Sequence, residues 1–109
     1  MNECVFCSIA KGDIVSEKTE YEGGDIVAFP DIKPVSPGHT LVVPKTHYHW
    51  FYELPDDLSN KLFRASKTIA KKLKAGTGAD YIHLSIVGKD VPHVHIHLIP
   101  RMLGDTLPS

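Results

Sequence analysis

The sequence predicts an α+β domain, a mostly antiparallel sheet with one long helix packed on a face. Three observations carry that prediction. Only one stretch, residues 55–76, shows helical periodicity. Short β-prone runs separated by turn residues lie on both sides of it. The last long run, "VPHVHIHLIP", alternates apolar residues with histidines in the period-two pattern of a strand.

The elements follow in order. "CVFCSIAKG" suits a short N-terminal helix or turn ending at Gly12. "TEYEGGDIVAF" suits a hairpin, with Gly23-Gly24 as the turn between two β-prone runs. "DIKPVSPGH" contains two prolines and a glycine and is expected to be a loop. "HTLVVP" is an apolar run ended by Pro44, as in a buried strand. In the helical stretch, Leu58, Leu62, Ala65, Ile69 and Leu73 share one face. Pro55 with Asp56 and Asp57 suits the first turn. Lys71, Lys72 and Lys74 suit the last turns as a solvated face, and Gly76 suits the stop. "DYIHLSIVG" and "VPHVHIHLIP" are expected to be two strands joined tightly through "GKD".

Composition narrows the function. A chain of 109 residues fits one domain, here residues 1–109 with a short tail after Arg101. Apolar residues at 42% and charged residues at 23% are globular proportions. A net charge of −1 argues against nucleic-acid binding by a basic surface. No apolar run approaches the roughly 20 residues that span a bilayer. "MNECVFCSIAKGD" lacks the basic and apolar regions of an export signal, so a cytoplasmic protein is expected. In that setting Cys4 and Cys7, spaced C-x-x-C, suggest a metal half-site or a redox pair rather than a structural disulfide.

Residues two apart on a strand share a face, about 6.5–7 Å apart. His93, His95 and His97 therefore form a row, while Val94, Ile96 and Leu98 point to the core. An apolar sheet gains nothing from three polar rings that need partners. Two chemistries suit the row. One is zinc binding, if a further ligand arrives from nearby. The other is nucleophilic attack on phosphorus by a neutral imidazole whose second nitrogen is held by a hydrogen bond. A second histidine would then hold phosphate oxygens or supply a proton.

"HVHIHLI" resembles the signature of the histidine triad (HIT) family. "AFPDIKP", "PGHTLVVPKTH" and "HVHIHLIPR" occur in that family's order, and the likeness extends over residues 4–101. The chain looks most like the branch that hydrolyses nucleoside phosphoramidates. The resemblance implies a five-stranded antiparallel sheet with one long helix, usually in a homodimer. It implies cleavage of a purine nucleotide at its α-phosphorus through a nucleotidyl-histidine intermediate. His95 falls at the nucleophile, His97 at a phosphate contact, and His93 at a supporting position. The ribose contacts fall on Asp31 and Ile32. Asp31 is chemically apt, since a carboxylate accepts from both ribose hydroxyls; an ordinary turn aspartate is the other reading. The base pocket falls on Phe6, Ile9, Ile14 and Phe29, each of which also suits plain core. The resemblance further implies a structural zinc on Cys4, Cys7, His47 and His93, a closed Cys₂His₂ set. A metal-free cysteine pair is the alternative, as is His49 in place of His47. His39 is expected to make structural hydrogen bonds.

The chain departs from the family before the triad. An asparagine common there is replaced at Ser85 or Ile86. A longer loop carrying Gly-Gln-Ser or Gly-Gln-Thr is reduced to "KDVP", where Asp90 or the Val91 amide could substitute. His83 is expected at the surface, with a pocket-facing position as the alternative, and the tail lacks an aromatic segment. Dinucleoside polyphosphate hydrolysis, nucleotide binding with weak catalysis, and a hydrolase with all three histidines on one zinc are the competing functions.

Overall fold

The computed structural model describes residues 6, 7, 9, 17–89 and 91–106. Strands β1 (Thr19–Tyr21), β2 (Ile26–Pro30) and β3 (Thr40–Pro44) precede helix α1 (Asp56–Thr77), and β4 (Tyr81–Ile86) and β5 (Ile96–Arg101) follow it. They form one five-stranded sheet in the order β1-β2-β3-β5-β4, antiparallel throughout. This is the expected architecture. At the N-terminus Phe6, Cys7 and Ile9 are helical.

The β1–β2 hairpin turns where the sequence placed it. Glu22, Gly23 and Gly24 all take positive φ, and the two glycines enter that region without steric cost. In β2 and β3 both faces are buried, which explains their unbroken apolar runs. Ile26, Ala28 and Val42 meet Leu62, Ala65 and Ile69 of α1 on one face, joined by Val94, Ile96 and Leu98. Val27, Phe29, Leu41 and Val43 meet Phe6 and Ile9 on the other. The histidines thus lie on a face that the N-terminal segment covers.

Helix α1 continues past Gly76 to Thr77. Gly78 is the residue that ends it, in the left-handed conformation, with its N–H bonded to the Lys74 carbonyl. Gly76 keeps helical geometry, so the stop belongs two residues later than expected.

The expected tight "GKD" connection is also longer. β4 ends at Ile86 and β5 begins only at Ile96. Pro92 has no N–H to give a ladder. The following amides turn elsewhere: His93 N–H donates to the Val91 carbonyl at 2.8 Å, and Val94 N–H to the Tyr48 carbonyl at 2.7 Å. His93 and His95 therefore precede the strand, and only His97 lies within it.

After β5, Asp105 accepts from the Arg101 guanidinium and from the Met102 amide, which folds the chain back. Ile96 is 1% exposed within the helix-side core. Ile96→Ala is expected to lower unfolding free energy by about 2–5 kcal/mol in urea denaturation.

Candidate active site

Sheet register aligns the site. Phe29 pairs with Leu41, Leu41 with His97, and His97 with Ser85, so these four form a row across β2, β3, β5 and β4. Three strand spacings separate its ends by about 14 Å. A cleft of about 990 Å³ lies over the row. Phe6, Ile9, Phe29 and Asp31 line its β2 end, His95 and His97 its middle, and Ser85 and Lys89 its β4 end. Ile32 also lines it, although 93% exposed. Ser85, on the histidine face, is thus the residue that faces the cleft, whereas Ile86 packs toward the helix.

Each histidine's tautomer follows from its partner. A carbonyl oxygen only accepts, so the ring nitrogen facing it carries the proton. His95 Nδ1 donates to the His93 carbonyl at 2.7 Å. Its Nε2 is left as the lone-pair nitrogen. The ring is 5% exposed and meets Phe6 edge-on at 4.9 Å between centroids.

His97 is set by a relay. The Val35 N–H donates to His39 Nδ1 at 3.0 Å, which puts the His39 proton on Nε2. That nitrogen lies 3.0 Å from His97 Nδ1 and 3.4 Å from Asp31 Oδ2. With His97 Nδ1 accepting, its proton sits on Nε2. Burial holds the pKa of both His39 and His97 below the usual imidazole value, and the Asp31 carboxylate opposes this in each case. In His97, His95 and His39 add to the depression. His39 thus makes the structural hydrogen bonds expected of it: it is 3% exposed and orients a cleft histidine. Asp31 behaves as the turn aspartate that was one of its two readings. Its Oδ1 accepts the Lys33 amide at 2.8 Å, as a turn aspartate does, and its Oδ2 faces the two imidazoles.

His93 belongs to a different cluster. Its Nε2 donates to the Pro44 carbonyl at 2.8 Å, leaving Nδ1 3.3 Å from Cys7 Sγ. His47 Nδ1 lies 3.2 Å from the same sulfur. Ligands of one tetrahedral zinc would be spaced by about 3.5 Å. The three fit a zinc ion, and the Pro44 carbonyl is the kind of outer partner that orients a ligating imidazole. His49 is turned away, with Nε2 3.1 Å from the Gly88 carbonyl and its ring stacked on Trp50. Cys4, Ile14 and Asp90 lie outside the described residues. Among the described residues, no group of potential ligand atoms gathers all three triad histidines; Asp31, His39 and His97 do cluster, joined by their own hydrogen bonds.

His83 is half-buried rather than fully exposed. It pairs with Ile99 on the histidine face, and its buried Nε2 has no hydrogen-bond partner among the described residues. Sequence reasoning also missed Lys89, because a lysine in a short loop carries no pattern of its own.

The HIT domain family model matches residues 14–103. The chain belongs to the HIT family. It is 44% identical to an HIT-like protein of Methanocaldococcus jannaschii over 94% of this chain and 81% of that one. It is 38% identical to the adenosine 5'-monophosphoramidase of Saccharomyces cerevisiae, over 90% of this chain and 62% of that one. With the adenylylsulfatase of Arabidopsis thaliana the figures are 33%, 97% and 56%. A Streptococcus mutans crystal structure superimposes with a TM-score of 0.89 at 38% identity, covering 100% of this chain and 72% of that one. A zinc-bound histidine triad protein from Mycobacterium smegmatis gives 0.86 at 33% identity, covering 97% and 80%. Such relatives put the chain in the family with the Hint-like branch, as the motifs implied.

Burial, reinforced by His47 and His95 against the Pro44 hydrogen bond, pushes His93 down to about 4 from 6.5. A histidine depressed in the folded state binds its proton more readily when unfolded, so stability is full above the unfolded value and falls as pH drops. Metal-free protein is expected to lose thermal stability progressively from about pH 6.5 to about pH 4, measured by melting temperature against pH.

Proposed function

We propose that this HIT domain, residues 1–109, hydrolyses purine nucleoside phosphoramidates through a nucleotidyl-histidine intermediate. The observation that carries the reading is the 2.7 Å hydrogen bond from His95 Nδ1 to the His93 carbonyl. It leaves Nε2 as the nucleophilic nitrogen beside the row that crosses the cleft. As Nε2 attacks the α-phosphorus, the ring becomes cationic, and the carbonyl that accepts its Nδ1–H stabilises that charge.

The row supplies the other contacts. Phe6, Ile9 and Phe29 hold the base between apolar walls, with Ile14 assigned by resemblance alone. Asp31 and Ile32 flank the ribose. His97 donates Nε2–H to a phosphate oxygen. The P–N bond breaks as the Nε2–P bond forms, and the departing nitrogen takes a proton from solvent, which the water of the second step gives back. Water then splits the nucleotidyl-histidine, restoring neutral His95 and releasing the nucleoside monophosphate. The name of the yeast relative, a monophosphoramidase, supports this substrate class.

Cys7, His47 and His93, with Cys4 as the fourth ligand, would hold a structural zinc. A bound zinc supplies cross-linking and no open coordination position. The zinc-bound mycobacterial relative supports that assignment. A homodimer across β4 and α1 is part of the same reading, since the edge strand exposes Leu84 at 41% and the helix exposes Phe63 at 54%.

Intact-protein mass spectrometry after mixing with an adenosine phosphoramidate is expected to show one transient AMP adduct on wild type and none on His95→Gly. Bound nucleotide with neither adduct nor turnover would sink the enzyme reading in favour of a binding module. Native mass spectrometry is expected to find one zinc per chain, lost in Cys7→Ser, with a lower melting temperature after chelation.

A further inference from the structure

The β4 end of the cleft holds a group that the proposed reaction has not used. Beyond His97, the described cleft residues on β4 and the loop after it are Ser85, Val87, Gly88, Lys89 and Val91. One of them is charged, and it is a cation. The cleft is also lined by the apolar base walls with Glu17, Asp31 and Lys33, and the reading above places the base at that β2 end. A nucleotide with its base at Phe29 and its α-phosphorus near His95 and His97 directs its leaving group along the row toward Ser85 and Lys89.

The backbone under Lys89 is anchored. Gly88 is buried with φ +81°, and its carbonyl lies 3.1 Å from His49 Nε2. A Cβ on Gly88 would come within 3.1 Å of the His49 carbonyl oxygen and 3.4 Å of the Trp50 ring. The stacked His49–Trp50 pair thus sets where the chain leaves β4, and Lys89 starts from that point.

We propose that Lys89 is a specificity-determining residue that favours substrates whose leaving group departs as an anion. This rests on the nucleotidyl-histidine reading above and deepens it. The two kinds of leaving group make opposite demands. An amine departs as a base and must gain a proton. An acid anhydride partner such as sulfate needs no proton. When His95 Nε2 bonds to the α-phosphorus of a nucleoside phosphosulfate, the P–O bond to sulfate breaks. Its electron pair leaves with the oxygen, and sulfate departs as a dianion. A cation at the exit end stabilises that growing charge, and the Ser85 hydroxyl offers a neutral donor beside it. The Arabidopsis relative bears the name of an adenylylsulfatase, so the class exists among similar chains.

The test compares kcat/KM for adenosine 5'-phosphosulfate and adenosine 5'-phosphoramidate on the full chain. Wild type, Lys89→Ala, Lys89→Glu and Lys89→Arg are measured at low and high salt. The phosphosulfate-to-phosphoramidate ratio is expected to fall about tenfold in Lys89→Ala, the scale of one charge pair at a protein surface. It should fall further in Lys89→Glu and be retained in Lys89→Arg. Added salt should lower the ratio in wild type and leave it flat in Lys89→Ala. Lys89 is exposed, so the variants should melt as wild type does. A ratio that is the same in wild type, Lys89→Ala and Lys89→Glu overturns the role of Lys89 while turnover itself upholds nucleotidyl transfer. No turnover of either substrate by wild type overturns both.

Discussion

The site depends on the backbone leaving the sheet between Val91 and His95. Had β5 begun at His93, the His93 carbonyl would have been pointed at a neighbouring strand in the ladder. Because Pro92 interrupts and the Val94 amide turns to Tyr48, that carbonyl accepts from the His95 ring instead. One buried hydrogen bond thereby fixes both the rotation and the tautomer of the proposed nucleophile. Aligned charge-stabilising groups that need no rearrangement during reaction are the main source of rate in such sites.

The same logic sets the two other triad imidazoles. Each has one nitrogen tied to a fixed protein group, which decides what the other nitrogen can do. His93 gives Nε2–H to Pro44 and keeps a lone pair for Cys7's neighbourhood, so it joins the candidate metal cluster with Cys7 and His47. His97 receives at Nδ1 from His39 and presents Nε2–H to the cleft. Three identical side chains thus acquire three chemistries from the carbonyl, thiol and imidazole behind each. Burial disfavours the charged form of His93 and His97, which keeps both in the neutral states that these partners select.

This division was only partly legible in the sequence. The strands, the helix and the alternation of His93, His95 and His97 with Val94, Ile96 and Leu98 follow from periodicity, since burial on two faces leaves a strong apolar signal. The helix stop and the start of β5 were misplaced by a few residues. Both turn on where single backbone amides find acceptors, Gly78 on Lys74 and Val94 on Tyr48, and those partners are invisible in local sequence. Asp31, Phe29 and Phe6 were assigned to the site and do line the cleft. His39 makes the structural hydrogen bonds expected of it, but its partner His97 lies far along the chain and is not visible in local sequence. The half-buried position of His83 is hidden for a related reason: only the register with Ile99 places it on the histidine face.

The candidate metal cluster and the proposed nucleotide cleft share one short segment, and that links them physically. Cys7 stands next to Phe6 in the chain, and both are helical. Phe6 packs on Phe29 at 5.6 Å and on His95 at 4.9 Å between ring centroids. Fixing the Cys7 thiolate on zinc would restrict Phe6 to the neighbourhood of those rings, lowering the conformational freedom lost when a base enters. The same contact shields His95 from water, which strengthens its hydrogen bond to the His93 carbonyl. A zinc ion that touches no substrate would thus contribute to base affinity and to the nucleophile's environment through one aromatic ring. The distance between metal and reacting phosphorus matters less here than the shared wall between them.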